Sequence, residues 1–438
     1  MIFINTPPPT ISGNLHIGHI FSYTHIDAMA RAMRYLGKDV HFPIGFDCNG
    51  IPSENLLRQN SDKNIDNYIL EYIELFQNMG FEMDFENPYK TIDLTKKAND
   101  VFRELKKLKL IYEAEKEVWF DTALKTPLSD NEVIEQDGQM IGEVSKKPVV
   151  RQITKQFFLK TVGYKKKFLQ LSEEIRFHPE EMRVKLTSWI KNLEQDWCIS
   201  RDRAFGIKID GTEKVFDTWF VSALKHCLFS EQSDFHFQGH EIIRSWCFYS
   251  LVMSMHLKGL IPFKHVFISG WCIGKDGQKL SKSKGNFINP NKLIEQYGVN
   301  PIRFWALKAR WGADTFFDEN VILNGRRLMV KLENAERFFI LKAKENPEIK
   351  YYYFGLADGW FDGVKQDFRR FLRHYEIAEA LNYLYDSFFI FCSQRIEACK
   401  KAEVQVDFIS LNYALLGEYK KMFQVFFNLS KKSVAKKH

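Results

Sequence analysis

The sequence predicts a parallel α/β sheet followed by a helical region, and three observations carry that prediction. The first fifty residues read as strand, glycine-bearing loop, helix and strand. The stretch from Lys214 to Lys264 returns to the same alternation. After Pro301 the apolar residues recur with helical period. Strands alternating with helices build parallel sheets, whose ligands bind beyond the carboxyl ends of the strands.

Ile2 to Asn5 is a short apolar strand entering the turn formers Pro7-Pro8-Pro9-Thr10-Ile11-Ser12-Gly13-Asn14. A helix is expected from about His16 to Leu36, stopped by Gly37. Val40 to Ile44 reads as the second strand, ending in Gly45-Phe46-Asp47. Residues 51–117 look helical and polar; 118–150 look irregular, with a hairpin at Asp137-Gly138. Residues 151–200 are mixed. Phe237-Gln238-Gly239-His240 leads into an apolar helix ending near Leu257, and Val266 to Gly270 is a buried-type strand. The last strand signal is Tyr351–Phe354, no internal repeat occurs, and the basic tail Lys431–His438 is expected to fray.

The chain has 438 residues, 45% hydrophobic and 27% charged, enough apolar mass for two or three domains and too much for disorder or a fibre. Its seven scattered cysteines form no C-x-x-C pair, which speaks against a disulfide framework or a zinc ribbon and for a reduced, cytoplasmic setting. The start, MIFINTPPPT, lacks the pattern of a signal peptide, and no apolar run is long enough to span a membrane. A net charge of +7 permits a polyanionic partner without requiring one.

Two constellations carry chemistry. His16-Ile17-Gly18-His19 puts two imidazoles on one face of the first turn of a helix, whose unpaired N–H groups and positive dipole end favour an anion. Gly18 leaves no side chain between them. No acidic or cysteine co-ligand sits nearby, so a metal fits less well. The second is Lys279-Leu280-Ser281-Lys282-Ser283-Lys284-Gly285-Asn286, a lysine run flanked by Gly277 and Gly285. Mobile ammonium groups of this kind can close on a polyphosphate. Either segment alone is compatible with an ordinary solvated surface.

Together, P-P-P-x-x-x-G-x-L-H-I-G-H after the first strand and K-L-S-K-S-K-G-N much later resemble the signature pair of class I aminoacyl-tRNA synthetases. Leu280 departs mildly from the family's usual methionine. The resemblance implies a Rossmann-like parallel-sheet catalytic domain, 1–325, with a short connective insertion at about 118–215. A truncated α-helical anticodon-binding-like domain, 326–438, would follow. It implies ATP and Mg²⁺, an amino acid and tRNA as partners, and a monomer. His16, His19, Lys279 and Lys282 would act on the phosphates; Gly18, Gln238, Gly239, Glu241, Ser269 and Gly270 would cradle ATP. Gly239-His240-Glu241-Ile242-Ile243-Arg244-Ser245-Trp246 and Phe216-Asp217-Thr218-Trp219-Phe220 look like the valine branch. By that likeness Asp47 would hold the substrate ammonium, and Pro9, Trp219 and Trp246 would wall a small aliphatic pocket.

Departures matter too. The interval from Trp119 to Asp217 is too short for the hydrolytic editing domain that valine, isoleucine and leucine enzymes carry there. Trp119-Phe120-Asp121-Thr122 stands where W-C-x-x-C is expected, so no structural zinc is expected. These losses raise an alternative, a paralogue that passes its adenylate to a carrier, peptide or small molecule rather than to tRNA.

Overall fold

The computed structural model describes residues 1–59, 64–124, 126–128, 132–203, 205–224, 232–274, 277–278, 280, 288–351, 358–401 and 404–429. At its centre is a five-stranded sheet in the order Arg176–His178, Phe263–Ser269, Ser233–Gly239, Ile2–Asn5 and Val40–His41. Every pairing in it is parallel. The order reverses beside Ile2–Asn5: the next strand in sequence lies on one side and the later ones on the other. A crevice opens at such a switch point beyond the carboxyl ends.

Successive strand residues face opposite ways. Phe235, Phe237 and Phe267 therefore enter the core that holds the Ile17–Tyr35 helix, while Val266 and Ile268 enter a second core with the Phe248–Lys258 helix. The first core also takes in the late helices Glu319–Glu345, Gly359–Arg373, Ile377–Phe391 and Val406–Phe423, so helical region and sheet share one hydrophobic interior. Two buried arginines fasten them. Arg31 donates to the Gln424 and Phe427 carbonyls, Arg303 to that of Phe426 (2.6 Å), and Asp27 Oδ2 accepts from both guanidiniums at 2.8 and 2.6 Å.

Several expectations change. Val40–Ile44 is not one strand: Val40–His41 pairs with Ile2–Phe3, whereas Pro43–Phe46 pairs with Asp84–Lys90. Pro43 has no N–H to continue the first ladder. Residues 51–117 are not uniformly helical, because Asp84–Lys90 is a strand and Ile111–Asp121 forms an antiparallel ribbon with Val149–Leu159. Of the stretch 118–150 that looked irregular, the ribbon takes in 118–121 and 149–150, and Thr126–Leu128, Val133–Gln136 and Gln139–Gly142 are further short strands. Exposed Glu113, Glu115 and Glu117 with buried Val118 show its period of two. The hairpin at Asp137-Gly138 is present, with φ of 51° and 76° joining Val133–Gln136 to Gln139–Gly142. A short strand after Pro301, Thr315–Phe316, pairs with Cys272–Ile273. Most of the Tyr351–Phe354 signal and the whole Lys431–His438 tail lie outside the described residues.

Candidate active site

A cleft of about 350 Å³ opens at the switch point. Pro9, His16, Gly18, His19, Asp47, Trp219, Gln238, Gly239, Glu241, Trp246, Ser269 and Gly270 all line it. These are all the residues singled out from the sequence except Lys279 and Lys282, which lie outside the described residues. Leu280, between those lysines, is 4% exposed, lines the cleft and donates its N–H to the Cys272 carbonyl at 3.0 Å.

On the Ile17–Tyr35 helix, His16 is the N-cap and its Nδ1 accepts the Gly18 N–H at 3.1 Å, while His19 Nδ1 accepts the His16 N–H at 3.3 Å. A ring that accepts at Nδ1 carries its proton on Nε2. The capping thus fixes both imidazoles, 4.0 Å apart between centroids, as Nε2–H donors. Gly18 is required where the His16 ring folds over: a Cβ there would meet that ring at 2.9 Å.

Asp47 directly follows the Pro43–Phe46 strand and joins the proline loop, its N–H donating to the Pro9 carbonyl at 3.1 Å. Its carboxylate accepts from Thr10 Oγ1 (3.4 Å), Thr91 Oγ1 (3.3 Å) and the Asn49 N–H (3.4 Å). Burial pushes this carboxyl up to about 6, against those hydrogen bonds, and the charge of Asp217 adds to the rise. Among the described residues no cation pairs with Asp47, whereas buried Asp217 has Arg201 at 3.3 Å. Trp246 is fully buried and donates its indole N–H to the Ser222 carbonyl at 3.3 Å; Trp219 stands on the Thr218–Ala223 helix.

On the opposite side, Gly239 and Ser269 are register partners, and Ser269 Oγ lies 3.1 Å from Ser22 Oγ. Gly270 passes so close to the Ala313 backbone that no Cβ fits. Sequence reasoning missed Tyr23, Phe237, Phe267 and Trp311, which also line the cleft. The alternation Phe235-His236-Phe237 was the available signal for part of that wall. Among the described residues no group of three or more His, Cys, Asp or Glu could hold a metal. At the position of the expected cysteine knuckle, Asp121 Oδ1 accepts the Ala123 and Leu124 N–H groups at 2.9 and 3.0 Å, a turn within the ribbon region.

The family model of class I tRNA synthetases (I, L, M and V) matches residues 2–212 and 208–318. The chain belongs to that family. Class I tRNA synthetases are ligases, and the curated relatives are consistent with this placement. Valine–tRNA ligase of Ehrlichia canis (strain Jake) is 26% identical over 559 residues, covering 80% of this chain and 70% of that one. Valine–tRNA ligase of Rickettsia prowazekii (strain Madrid E) is 25% identical over 636 residues, covering 91% and 78%. In the first alignment 80% of 438 residues is about 350, so about 200 of the 559 positions face no residue of this synthetase chain. Among solved structures, Mycobacterium tuberculosis methionyl-tRNA synthetase bound by methionyl-adenylate superposes with a TM-score of 0.81 at 20% identity, covering 97% of this chain and 91% of that one. The LeuRS of the Agrobacterium radiobacter K84 agnB2 LeuRS-tRNA-LeuAMS complex gives 0.78 at 14% identity, covering 97% and 84%. Both share the fold. Among the described residues no helix is long and apolar enough to cross a membrane.

Proposed function

We propose that this class I synthetase activates valine with ATP and transfers the valyl group to tRNA. The observation that carries the reading is a partly buried carboxylate, Asp47, without a cation partner among the described residues, in a cleft that the two oriented imidazole donors His16 and His19 also line. Asp47 takes the substrate ammonium, and Pro9, Trp219 and Trp246 enclose a small aliphatic side chain. The amino-acid carboxylate attacks the α-phosphorus of ATP, the bond to the bridging oxygen breaks, and pyrophosphate leaves with that electron pair. His16 and His19 donate to the phosphates at the helix amino terminus. Lys279 and Lys282 neutralise the β/γ-phosphates; Mg²⁺ brought in with the nucleotide would supply further counter-charge there.

The relatives' names support valine, and the pocket sets a limit on selectivity. An apolar pocket rejects an isostere that adds only a hydroxyl by about a hundredfold. With no room between Trp119 and Asp217 for an inserted hydrolytic domain, threonine is expected to be attached to the same tRNA about a hundredfold less efficiently than valine. Purified protein incubated with ATP, total tRNA and labelled valine or threonine tests this. Charging with valine, weaker charging with threonine and a loss of rate as salt rises are expected, since tRNA contact by Lys and Arg releases counterions. Adenylate formation without any tRNA charging would instead favour a non-tRNA acceptor.

A further inference from the structure

Gln238 has one end of its amide tied up behind the cleft and the other without a partner. Its Oε1 lies 2.8 Å from His236 Nε2, and His236 Nδ1 lies 3.0 Å from Asn5 Nδ2. An amide nitrogen only donates and an amide oxygen only accepts, so both contacts require the same neutral imidazole, protonated on Nε2. The arrangement is rigid. His236 is fully buried, with Trp246 stacked on one side (4.2 Å, 25°) and Phe263 stacked close by (4.0 Å, 29°). Asn5 and His236 are register partners on neighbouring strands, and Gln238, two residues on, shares their face of the sheet. Gln238 is 3% exposed and lines the cleft, and its Nε2 makes no hydrogen bond to the described residues.

We infer that Asn5 and His236 are positioning residues: they set the Gln238 amide so that it offers an N–H donor to the carboxylate of the amino-acid substrate. The inference rests on the activation reading above. Gln238 stands where the two halves of the cleft meet, linked through His236 to Trp246 on the amino-acid side and adjoining the Gly239–Ser269 pair on the nucleotide side. The acceptor that reaches that junction is the carboxylate on its way to the α-phosphorus. A buried N–H without a partner is costly, and a bound oxygen there relieves the cost. Turning both amides over would move the imidazole proton to Nδ1 and present Gln238 Oε1 instead, an acceptor that repels a carboxylate. The tautomer of His236 therefore decides the sign of the interaction.

The test has two readouts on the full-length protein. In ¹⁵N-histidine-labelled protein, long-range ¹⁵N–¹H correlation reports the tautomer, with the His236 signal identified by its loss in His236→Gln. The Nε2–H form is expected, and the Nδ1–H form overturns the proposal. In steady-state activation assays, Asn5→Leu is expected to raise KM for the amino acid about tenfold while KM for ATP stays put, the loss of one hydrogen bond to a charged group. Gln238→Glu keeps the bond to His236 but replaces the donor with a negative acceptor, and is expected to raise the same KM further. It stands in if Asn5→Leu does not fold. An unchanged amino-acid KM in folded variants, or a rise confined to ATP, overturns the proposal. Wild-type protein that activates no amino acid would instead refute the activation reading, and the tautomer would still be read by NMR.

Discussion

Asp47→Asn is expected to lower kcat/KM for the amino acid about a hundredfold and leave ATP affinity nearly unchanged. The substitution preserves shape and most hydrogen bonding but removes the charge that the substrate ammonium meets in a water-poor site. Truncating one partner of such a pair costs about 2–5 kcal/mol. The titration makes the prediction sharper. The Asp47 carboxyl sits at about 6 in the free protein, so it is mostly protonated at pH 5 and mostly ionised at pH 7. Amino-acid KM is therefore expected to fall about tenfold over that interval in the wild type, and not in Asp47→Asn. Stability runs the other way. Because the folded chain holds this proton more tightly than the unfolded chain, Asp47 subtracts stability as pH rises from about 4 to 6. The variant should thus be as stable as the wild type or more so. A pH-independent KM in the wild type would contradict this assignment.

Asp27→Ala is expected to destabilise the fold by about 3–5 kcal/mol, because it removes the carboxylate of fully buried Arg303 and leaves Arg31 only that of Glu82 at 3.4 Å. Asp27 accepts from Arg31, Arg303 and the Glu82 N–H (2.7 Å), and its side chain is fully buried. Burial already pushes the Arg303 guanidinium below its usual range, with Asp27 as the main opposing influence. The two arginines in turn hold the carbonyls at 424–427, so the loss should loosen the end of the chain from the sheet. Urea unfolding checks the prediction through the midpoint and the release of the last helix. A midpoint equal to that of the wild type would show that the arginines are compensated some other way.

What the sequence disclosed and what it hid follow from sequence distance. The His16–His19 pair was legible because helical spacing and an amino-terminal position are local properties. The site residues from Asp47 to Gly270 were legible only through resemblance, since nothing local in Asp47-Cys48-Asn49 says that its side chain will line the same cleft as His16. The Asp27–Arg31 pair has the spacing of an ordinary surface ion pair; its burial depends on Arg303, 276 positions away from Asp27. Asn5 and His236 are 231 positions apart, and their hydrogen bond has no sequence signature. The Ile111–Asp121 ribbon was misread because its glutamates and lysines disfavour strands, although their alternation gave the period away.

The most direct test of the account is amino-acid-dependent ATP–pyrophosphate exchange measured across all twenty amino acids. Exchange with valine, and about a hundredfold weaker exchange with threonine, is the predicted result. Exchange driven by a different amino acid, or by none, would contradict it.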